Sequence, residues 1–328
     1  MIGGRSLYYG GTYKGVKRYT KKKSKIKFEK YVLKIVFLIS LIATITITLN
    51  KFSNKLNTKI TLNDDLILKY IDTVDDLSVE GYQINWQEVA SINIGINNGD
   101  LESVDKDNIQ KICNAFLKRD KNGEVVKLRS FKEALKELKL DTKQENLSLK
   151  TLVSIEDNYL HRNLKDDSNK KEFIKEVADI AYENYKEYKI LPSITIAQAI
   201  LESGWGESTL ASDYNNYFGI KADNRWNGKT IEIKTKENYD DEVVAAFRAY
   251  KSLKDSIRDQ GKFLFENERY EKNGLFNGKT YKEQAQALEN AGYSTAKDED
   301  GNLIYGDKLV RVIKENNLML YDTVVKRK

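Results

Sequence analysis

The chain divides into four parts by the way apolar and polar residues alternate along it. Residues 1–31 are rich in Gly, Tyr and Lys and lack a periodic apolar pattern, which is typical of disorder. Residues 32–49 form an apolar run broken by a single charge. Residues 50–165 show helical apolar segments with polar joints, and the helical spacing becomes sharper over 166–328. The pattern predicts a mainly α-helical protein with a basic tail, an apolar segment, a helical spacer or interaction region and a C-terminal domain.

Short-range spacing marks several helix starts within these regions. Ser130 and Glu133 have the spacing of a capping box, which predicts a helix that begins there. Further helices are predicted to begin at Ser252, Thr280 and about Tyr305, the first two again with capping-box spacing.

The apolar run at 32–49 has the length of a membrane-spanning helix. Its eighteen residues would extend about 27 Å as a helix, close to the hydrocarbon thickness of a bilayer. Residues 1–34 carry eleven Lys or Arg and one acid, which favours a cytoplasmic N-terminus. A cleaved signal peptide is the alternative, but no convincing small-x-small cleavage site follows the run. We expect an uncleaved single-pass anchor in the cell membrane, with the C-terminal domain extracytoplasmic.

Charge and composition narrow the possible chemistry. Beyond residue 34 the chain has 44 Lys or Arg against 48 acids, so the net charge of +6 comes from the tail and predicts no nucleic-acid partner. One Cys and one His exclude an internal disulfide and a thiolate or His-rich zinc site. A Cys–His dyad stays formally open, although Cys113 lies on an apolar helical stripe and His161 has no nucleophile-like context. We expect neither metal nor cofactor, and we look to carboxylates, tyrosines and amides for catalysis.

One predicted helix carries the clearest candidate for chemistry. It begins at Pro192, is almost continuously apolar, and ends by presenting Glu202 beside a Gly-Trp-Gly turn that starts at Gly204. A carboxyl group in apolar surroundings should have a raised pKa, because desolvation penalises its charged form. A raised pKa is what a general acid at neutral pH requires. An ordinary charge at a helix end is the alternative explanation.

A second carboxylate belongs to a predicted β-hairpin. Asn227-Gly228 is a turn signal, and the alternation after it places Ile231, Ile233 and Glu237 on one face of a strand. A return strand is predicted over 243–250. A mainly helical domain with a small β lobe would hold Glu202 and Glu237 in different environments, which separates their pKa values as cleavage of a glycosidic bond requires. Glu237 can equally be an ordinary charge at a strand end.

Several motifs in order resemble those of the bacterial N-acetylglucosaminidases of glycoside hydrolase family 73. These are peptidoglycan hydrolases with a lysozyme-like α+β fold. The similarity covers about residues 170–322, roughly half of the chain, and leaves the first 165 residues uncovered. The matching segments are 197–208, 215–221, 226–229, 235–237, 247–250 and 291–295.

The resemblance implies a role for each matching residue. Glu202 would protonate the leaving glycosidic oxygen, and Tyr293 would support the sugar at the cleavage subsite. Glu237 would be the second carboxylate, which either activates water or leaves that task to the N-acetyl oxygen of the substrate. Phe218 also matches a position that shapes the cleft, but core packing is the interpretation that we favour for it, and core packing stays an alternative for the other aromatic and amide positions of the cleft. The residues expected to shape the cleft and bind substrate are Gln198, Trp205, Asn216 and Tyr217.

The sequence therefore predicts a membrane-anchored endo-β-N-acetylglucosaminidase that cleaves β-1,4 bonds in the glycan strands of bacterial peptidoglycan. A muramidase or lytic transglycosylase on the same fold is one alternative. A catalytically inactive wall-binding scaffold of a secretion or conjugation apparatus is another. No partner for residues 60–165 can be named from their pattern.

Overall fold

The structure is a computed structural model in which residues 60–328 make up one compact unit. The predicted tail and membrane anchor, at 1–31 and 32–49, lie outside the described residues, as does His161. In the part of the chain that is described, no helix combines the length and the apolarity needed to cross a membrane. The backbone is described for residues 60, 62–78, 82–159, 164, 167–237 and 241–327, without side chains at 157–159, 235–237, 241–243 and 325–327.

The first half of the compact unit is helical with one short hairpin, and the spacing of its apolar residues accounts for its packing. Its elements are α1 (Asp64–Leu77), α2 (Trp86–Ile96), α3 (Lys106–Phe116), β1 (Leu117–Arg119), β2 (Val125–Leu128), α4 (Phe131–Glu137) and α5 (Thr142–Tyr159). α2 is buried along most of its length and packs against α5. The predicted capping box at Ser130 and Glu133 is confirmed, since both of its reciprocal hydrogen bonds are present.

The second half contains the helices and the hairpin that surround the candidate site. Its elements are α6 (Ser168–Tyr188), α7 (Pro192–Ser203), α8 (Thr209–Ser212), β3 (Lys229–Glu237), β4 (Asp241–Ala249), α9 (Leu253–Glu266), α10 (Glu268–Lys272), α11 (Tyr281–Asn290), α12 (Tyr305–Glu315) and α13 (Met319–Arg327). The predicted helix starts at Ser252, Thr280 and Tyr305 are confirmed within one residue. The mainly helical fold class with a small β-hairpin lobe is confirmed as well, and the β1–β2 hairpin adds two strands to a region that was predicted to be helical.

Helix α7 lies at the centre of this half. Positions 192–200 are all buried, and α6, α11, α12 and α13 pack around them. A helix that is apolar on all sides needs such surroundings, because each of its faces must be removed from water. Glu202, near the C-terminal end of α7, is only half-buried, so this end of the helix reaches the protein surface.

The small β lobe is a two-stranded hairpin. β3 and β4 pair antiparallel without a break from Lys229 with Ala249 to Glu237 with Asp241. β3 ends at Glu237 and β4 begins at Asp241, whereas Asn227 and Gly228, which were predicted to form a turn, come before β3, and the turn of that segment lies at Asn224 and Arg225. Unbroken pairing preserves the two-residue alternation, so positions 231, 233 and 237 have the same parity in the strand, as predicted.

The region before residue 160 packs directly against the C-terminal helices. Nε1 of Trp86 donates to Oδ1 of Asn317 at 3.2 Å, and both residues are buried. The Tyr281 hydroxyl at the start of α11 donates to the carboxylate of Asp75 on α1, and Asp75 is itself buried. The domain boundary predicted at residue 166 is therefore crossed by buried contacts, and one continuous apolar core extends through both halves.

Candidate active site

Helix α7 ends in a turn that fixes the orientation of its last residues. Gly204, Trp205 and Gly206 follow one another in the left-handed region, with φ of 57°, 64° and 84°. This conformation is strained for a tryptophan, whereas glycine adopts it readily. The Ser203 hydroxyl accepts a 2.7 Å hydrogen bond from the Gly206 N–H and holds the turn closed. Glu202 is thus placed immediately before a rigid reversal of the chain.

The Glu202 carboxyl group has the environment of a proton donor. The Tyr305 hydroxyl donates a 2.7 Å hydrogen bond to its Oε1. Burial raises the pKa of Glu202 above the ordinary glutamate value, and this effect outweighs the Tyr305 hydrogen bond and the positive charge of Lys308, which both lower it. The carboxyl group therefore keeps its proton to a higher pH than an exposed glutamate, which suits a general acid.

Two stacked tyrosines form one side of this site. The rings of Tyr293 and Tyr305 lie 5.1 Å apart at an angle of 19°. Tyr293 is half-buried, while Tyr305 is only 4 % exposed. Burial and the nearby Glu202 charge raise the pKa of both tyrosines well above the ordinary value, so both hydroxyls stay protonated. The structure therefore places Tyr293 beside Tyr305, and its contact with the sugar at the cleavage subsite stays a prediction.

Gln198 and Tyr305 differ from what the sequence suggested. Gln198 was expected to contact substrate, but it is 0 % exposed and its Nε2 donates to the Tyr305 hydroxyl at 3.1 Å. It lies behind Glu202 because the two residues are four apart on the same side of a helix. Tyr305 was identified only as the start of a helix. The residue pattern gives no other signal for it, since Glu202 and Tyr305 are 103 positions apart.

Trp205 and Tyr217 lie on either side of Phe173, an aromatic residue of α6. The Phe173 ring is 6.2 Å from that of Trp205 and 6.0 Å from that of Tyr217. All three rings are half-buried. The Lys170 ammonium lies 5.3 Å from the centre of the Trp205 ring. The cluster presents partly exposed aromatic surface next to the turn that follows Glu202, which suits contact with a sugar face.

Asn216 is buried, and its side-chain amide forms hydrogen bonds with backbone groups. Its Nδ2 donates to the carbonyls of Ile220 at 3.0 Å and Arg248 at 2.8 Å, and its Oδ1 accepts from the Ile220 N–H. These bonds tie the loop after α8 to strand β4. The structure therefore places Asn216 beneath the surface rather than where a bound sugar would lie. Phe218, at 3 % exposure, packs in the core as expected.

The second predicted carboxylate is placed only by its backbone. Glu237 is the last residue of β3, and its side chain lies outside what the structure describes. Its partnership with Glu202 stays a prediction. Burial raises the pKa of the Cys113 thiol to about 12, so this residue is an unreactive core thiol. Among the described side chains, no group of three or more His, Cys, Asp or Glu is arranged to hold a metal ion.

Comparison with known proteins assigns the family. Residues 178–318 match the glucosaminidase model, described as mannosyl-glycoprotein endo-beta-N-acetylglucosaminidase. This part of the chain belongs to the glucosaminidase family of glycoside hydrolases. Exo-glucosaminidase LytG of Bacillus subtilis is 35 % identical over 156 residues, which cover 46 % of this chain and 53 % of LytG. Peptidoglycan hydrolase FlgJ of Vibrio parahaemolyticus is 34 % identical over 146 residues, covering 43 % and 45 % respectively.

Two solved structures are similar to a part of the chain. The catalytic domain of the autolysin Auto from Listeria monocytogenes is 33 % identical, with a TM-score of 0.41, over 48 % of this chain and 90 % of that domain. The glycoside hydrolase domain of Salmonella typhimurium FlgJ is 31 % identical, with a TM-score of 0.36, over 44 % and 87 %. The chain spans about half the length of the curated relatives it matches.

A residue outside the glucosaminidase match also contacts helix α7, which carries Glu202. Asp322 on α13 accepts a 2.9 Å hydrogen bond from the backbone N–H of Ser193 and a 2.6 Å hydrogen bond from its hydroxyl. Ser193 lies in the first turn of α7, where backbone N–H groups lack partners within the helix. The glucosaminidase helix that carries Glu202 is therefore anchored at its start by the C-terminal helix of this chain.

Proposed function

We propose that the protein is an endo-β-N-acetylglucosaminidase that cleaves the glycan strands of bacterial peptidoglycan, with Glu202 as the general acid. The observation that carries the proposal is the half-buried Glu202 carboxyl group, whose pKa is raised by burial and whose Oε1 accepts the Tyr305 hydrogen bond. Family membership and relatives named exo-glucosaminidase and peptidoglycan hydrolase support the class of bond and the polymer.

The proposed reaction is an acid-assisted cleavage of the glycosidic bond. Glu202 gives its proton to the glycosidic oxygen as the bond from this oxygen to the sugar C1 breaks, so the leaving sugar departs as a neutral alcohol. A water oxygen then bonds to C1 and its proton passes to a base. In one route Glu237 activates the water. In the other, the substrate's N-acetyl oxygen first attacks C1, and water opens the resulting ring.

Product analysis tests which bond is cleaved. The full chain is incubated with purified peptidoglycan, and the products are reduced with borohydride and identified by mass spectrometry. We expect reduced N-acetylglucosamine at the new ends, and no release by a Glu202→Gln variant. New N-acetylmuramic acid ends would indicate a muramidase, and anhydro ends a lytic transglycosylase. An absence of any cleavage by the wild-type chain would favour the wall-binding scaffold.

The size of the early products separates endo from exo action. The family description contains the term endo, whereas the relative LytG is named an exo-glucosaminidase. An endo-acting enzyme shortens long glycan strands at internal bonds before small fragments accumulate. We expect the mean strand length to fall early in the digestion. A constant mean length with steady release of terminal units would contradict endo action.

We also propose that residues 32–49 hold the enzyme in the cell membrane, with the catalytic domain outside. The proposal is supported by the length of the apolar run and by the positive charge before it. Extraction of bacterial membranes with alkaline carbonate tests it. We expect the full chain to stay in the membrane pellet and a variant lacking residues 1–49 to be released. Release of the full chain would contradict the anchor.

A further inference from the structure

A row of buried side-chain amides leads from helices α6 and α9 to the Tyr305 hydroxyl. Nδ2 of Asn184 donates to the backbone carbonyl of Ile257 at 2.8 Å and to Oε1 of Gln260 at 3.4 Å. Nε2 of Gln260 donates to Oε1 of Gln198 at 2.8 Å. Nε2 of Gln198 then donates to the Tyr305 hydroxyl at 3.1 Å. The three amide side chains are at most 1 % exposed, so water does not compete for these bonds.

All of these hydrogen bonds run in the same direction because the row starts at a group that can only accept. The Ile257 carbonyl has no hydrogen to give, so Asn184 must turn its NH2 group toward it. The same NH2 group faces Gln260, which must therefore present its oxygen there and its own NH2 group to the next residue. Each amide passes this orientation on, since its oxygen and its NH2 group lie on opposite sides. A reversed amide would place two donors or two acceptors face to face, which is costly when both are buried.

The direction of the row decides how Tyr305 binds the candidate acid. The NH2 group of Gln198 occupies one lone pair of the Tyr305 oxygen, and the hydroxyl hydrogen points to Oε1 of Glu202. An oxygen that accepts this hydrogen bond is a poor place for a proton. The proton of a neutral Glu202 therefore belongs on Oε2.

We propose that Asn184 and Gln260 are positioning residues that, through Gln198 and Tyr305, keep the proton of Glu202 on Oε2, ready for transfer to a glycosidic oxygen. The catalytic consequence rests on the proposed function, but the orientation of the hydrogen bonds does not. Neither residue touches substrate in this proposal, and both act through the side chains between them and Glu202.

A close approach of two helices supports the placement of Asn184. α6 and α9 meet at Gly261, where a Cβ atom would lie only 2.7 Å from Nδ2 of Asn184 and 2.8 Å from a ring carbon of Tyr188. Any other residue at position 261 would push the Asn184 amide out of line. The helix contact thus leaves room for this amide and for its bond to the Ile257 carbonyl.

The test compares Gln260→Met with a matched variant at another buried amide. Methionine keeps the length of Gln260 but removes both of its hydrogen bonds, so the Gln198 amide is free to reverse and to accept the Tyr305 hydrogen. Asn316→Leu serves as the control, because Asn316 is also buried and donates to the Val312 carbonyl at the far end of α12. Gln260→Glu is a third variant, since a protonated carboxyl group keeps one donor and one acceptor in the same places.

The first readout is the pKa of Glu202 itself. The full chain is labelled with ¹³C at the glutamate carboxyl carbon, and the Glu202 signal is identified by its loss in Glu202→Gln. The groups acting on this carboxyl are Tyr305 and Lys308 of α12 and the stacked Tyr293. Loss of the Tyr305 bond removes an influence that lowers the pKa, so Gln260→Met should raise it by about 0.5–1 unit. Asn316→Leu should leave it in place.

The second readout is the pH dependence of hydrolysis. We expect kcat of Gln260→Met to fall about fivefold, a factor typical of one lost hydrogen bond between neutral groups, with KM little changed. The alkaline limb of the pH profile should move upward. Gln260→Glu should resemble the wild type at acid pH, where its carboxyl group is protonated.

The possible outcomes distinguish the two proposals. A Glu202 titration in Gln260→Met that overlays the wild type would overturn the positioning role, whatever the activity. A shifted titration in a chain that releases no N-acetylglucosamine ends would support the orientation of the acid and reject the proposed function. Equal shifts in Gln260→Met and Asn316→Leu would show a general effect on the fold and would also overturn the positioning role.

Discussion

Asp322 binds the start of helix α7 by accepting two hydrogen bonds from Ser193, at 2.9 and 2.6 Å. The two residues are 129 positions apart and both are fully buried. Asp322 comes four residues after the end of the glucosaminidase match, so the C-terminal helix of this chain completes a helix of the catalytic domain. Ser193, which Asp322 holds, and Glu202 thus lie at opposite ends of α7, about 14 Å apart by helix geometry.

Removal of the Asp322 carboxylate should destabilise the fold without changing the chemistry. In Asp322→Ala, the Ser193 N–H and hydroxyl lose their buried partner, and the free energy of unfolding should fall by about 2–4 kcal/mol. Urea denaturation of the full chain measures this change. The activity of the folded protein at 25 °C should stay within about twofold of the wild type. The exposed Asp179→Ala on α6 should change stability by less than about 0.5 kcal/mol.

Replacement of Glu202 should make the protein more stable at neutral pH. The pKa of Glu202 is raised in the folded state, so the folded carboxyl group binds its proton more tightly than the unfolded one. Stability therefore falls as the pH rises from the unfolded to the folded pKa and stays lower above it. Glu202→Gln is neutral at every pH and keeps an oxygen for the Tyr305 hydrogen bond.

Thermal denaturation across pH checks this prediction. The melting temperature of Glu202→Gln should exceed that of the wild type at pH 7–8, and the difference should shrink as the pH falls toward the ordinary glutamate pKa of about 4.3. A lower melting temperature for Glu202→Gln at pH 7–8 would show that ionised Glu202 is not destabilising. The same samples should show that activity is lost although the fold is intact.

Tyr305→Phe should weaken catalysis and shift its pH dependence upward. The variant removes the hydroxyl that donates to Oε1 and lowers the Glu202 pKa, so the carboxyl group stays protonated to a higher pH. A general acid works only while it is protonated, and the alkaline limb of the kcat profile should therefore move up. We expect kcat to fall by about tenfold or more, since the acid loses its orientation. An unchanged limb would indicate that another group sets it.

Gly261→Ala should be destabilising, against the usual effect of this change in a helix. Alanine in place of a helical glycine ordinarily stabilises by about 1 kcal/mol. Here the new methyl group would meet Asn184 and Tyr188 at less than 3 Å, and Asn184 is held in place by its hydrogen bonds. Chemical denaturation should show lower stability than in the wild type. Lys262→Ala, at the exposed next position, should stay within about 0.5 kcal/mol.

The features that the sequence predicted well are those encoded within a few residues. The helix that ends at Glu202, the capping boxes at Ser130 and Thr280, and the alternation along β3 all follow from short-range periodicity or spacing. Each feature depends only on residues that lie close together in the chain. The same short-range hydrogen bonds and alternation therefore form in any fold that contains the segment.

The features that the sequence did not reveal depend on residues far apart in the chain. In the sequence, Tyr305 looks like any aromatic residue at the start of a helix. Only the fold places its hydroxyl against Glu202, which lies 103 positions earlier in the chain. Gln198 comes four positions before Glu202 in the sequence, and its polarity suggested a contact with substrate. Only the packing of α9 and α12 against α7 shows that this amide is buried. Polar residues within an apolar helix can face a cleft or a buried partner, and local sequence does not distinguish the two.

The hydrogen bond between Trp86 and Asn317 also constrains the order in which the chain can fold. It joins residues 231 positions apart, and the ion pair of Asp72 with Lys314 spans 242. Contacts this distant form slowly, because most of the intervening chain must be in place first. The helices before residue 160 emerge first from the ribosome, and they can bury this surface only after the last helices have been made. Early stages of biosynthesis therefore expose apolar surface that a chaperone would need to cover.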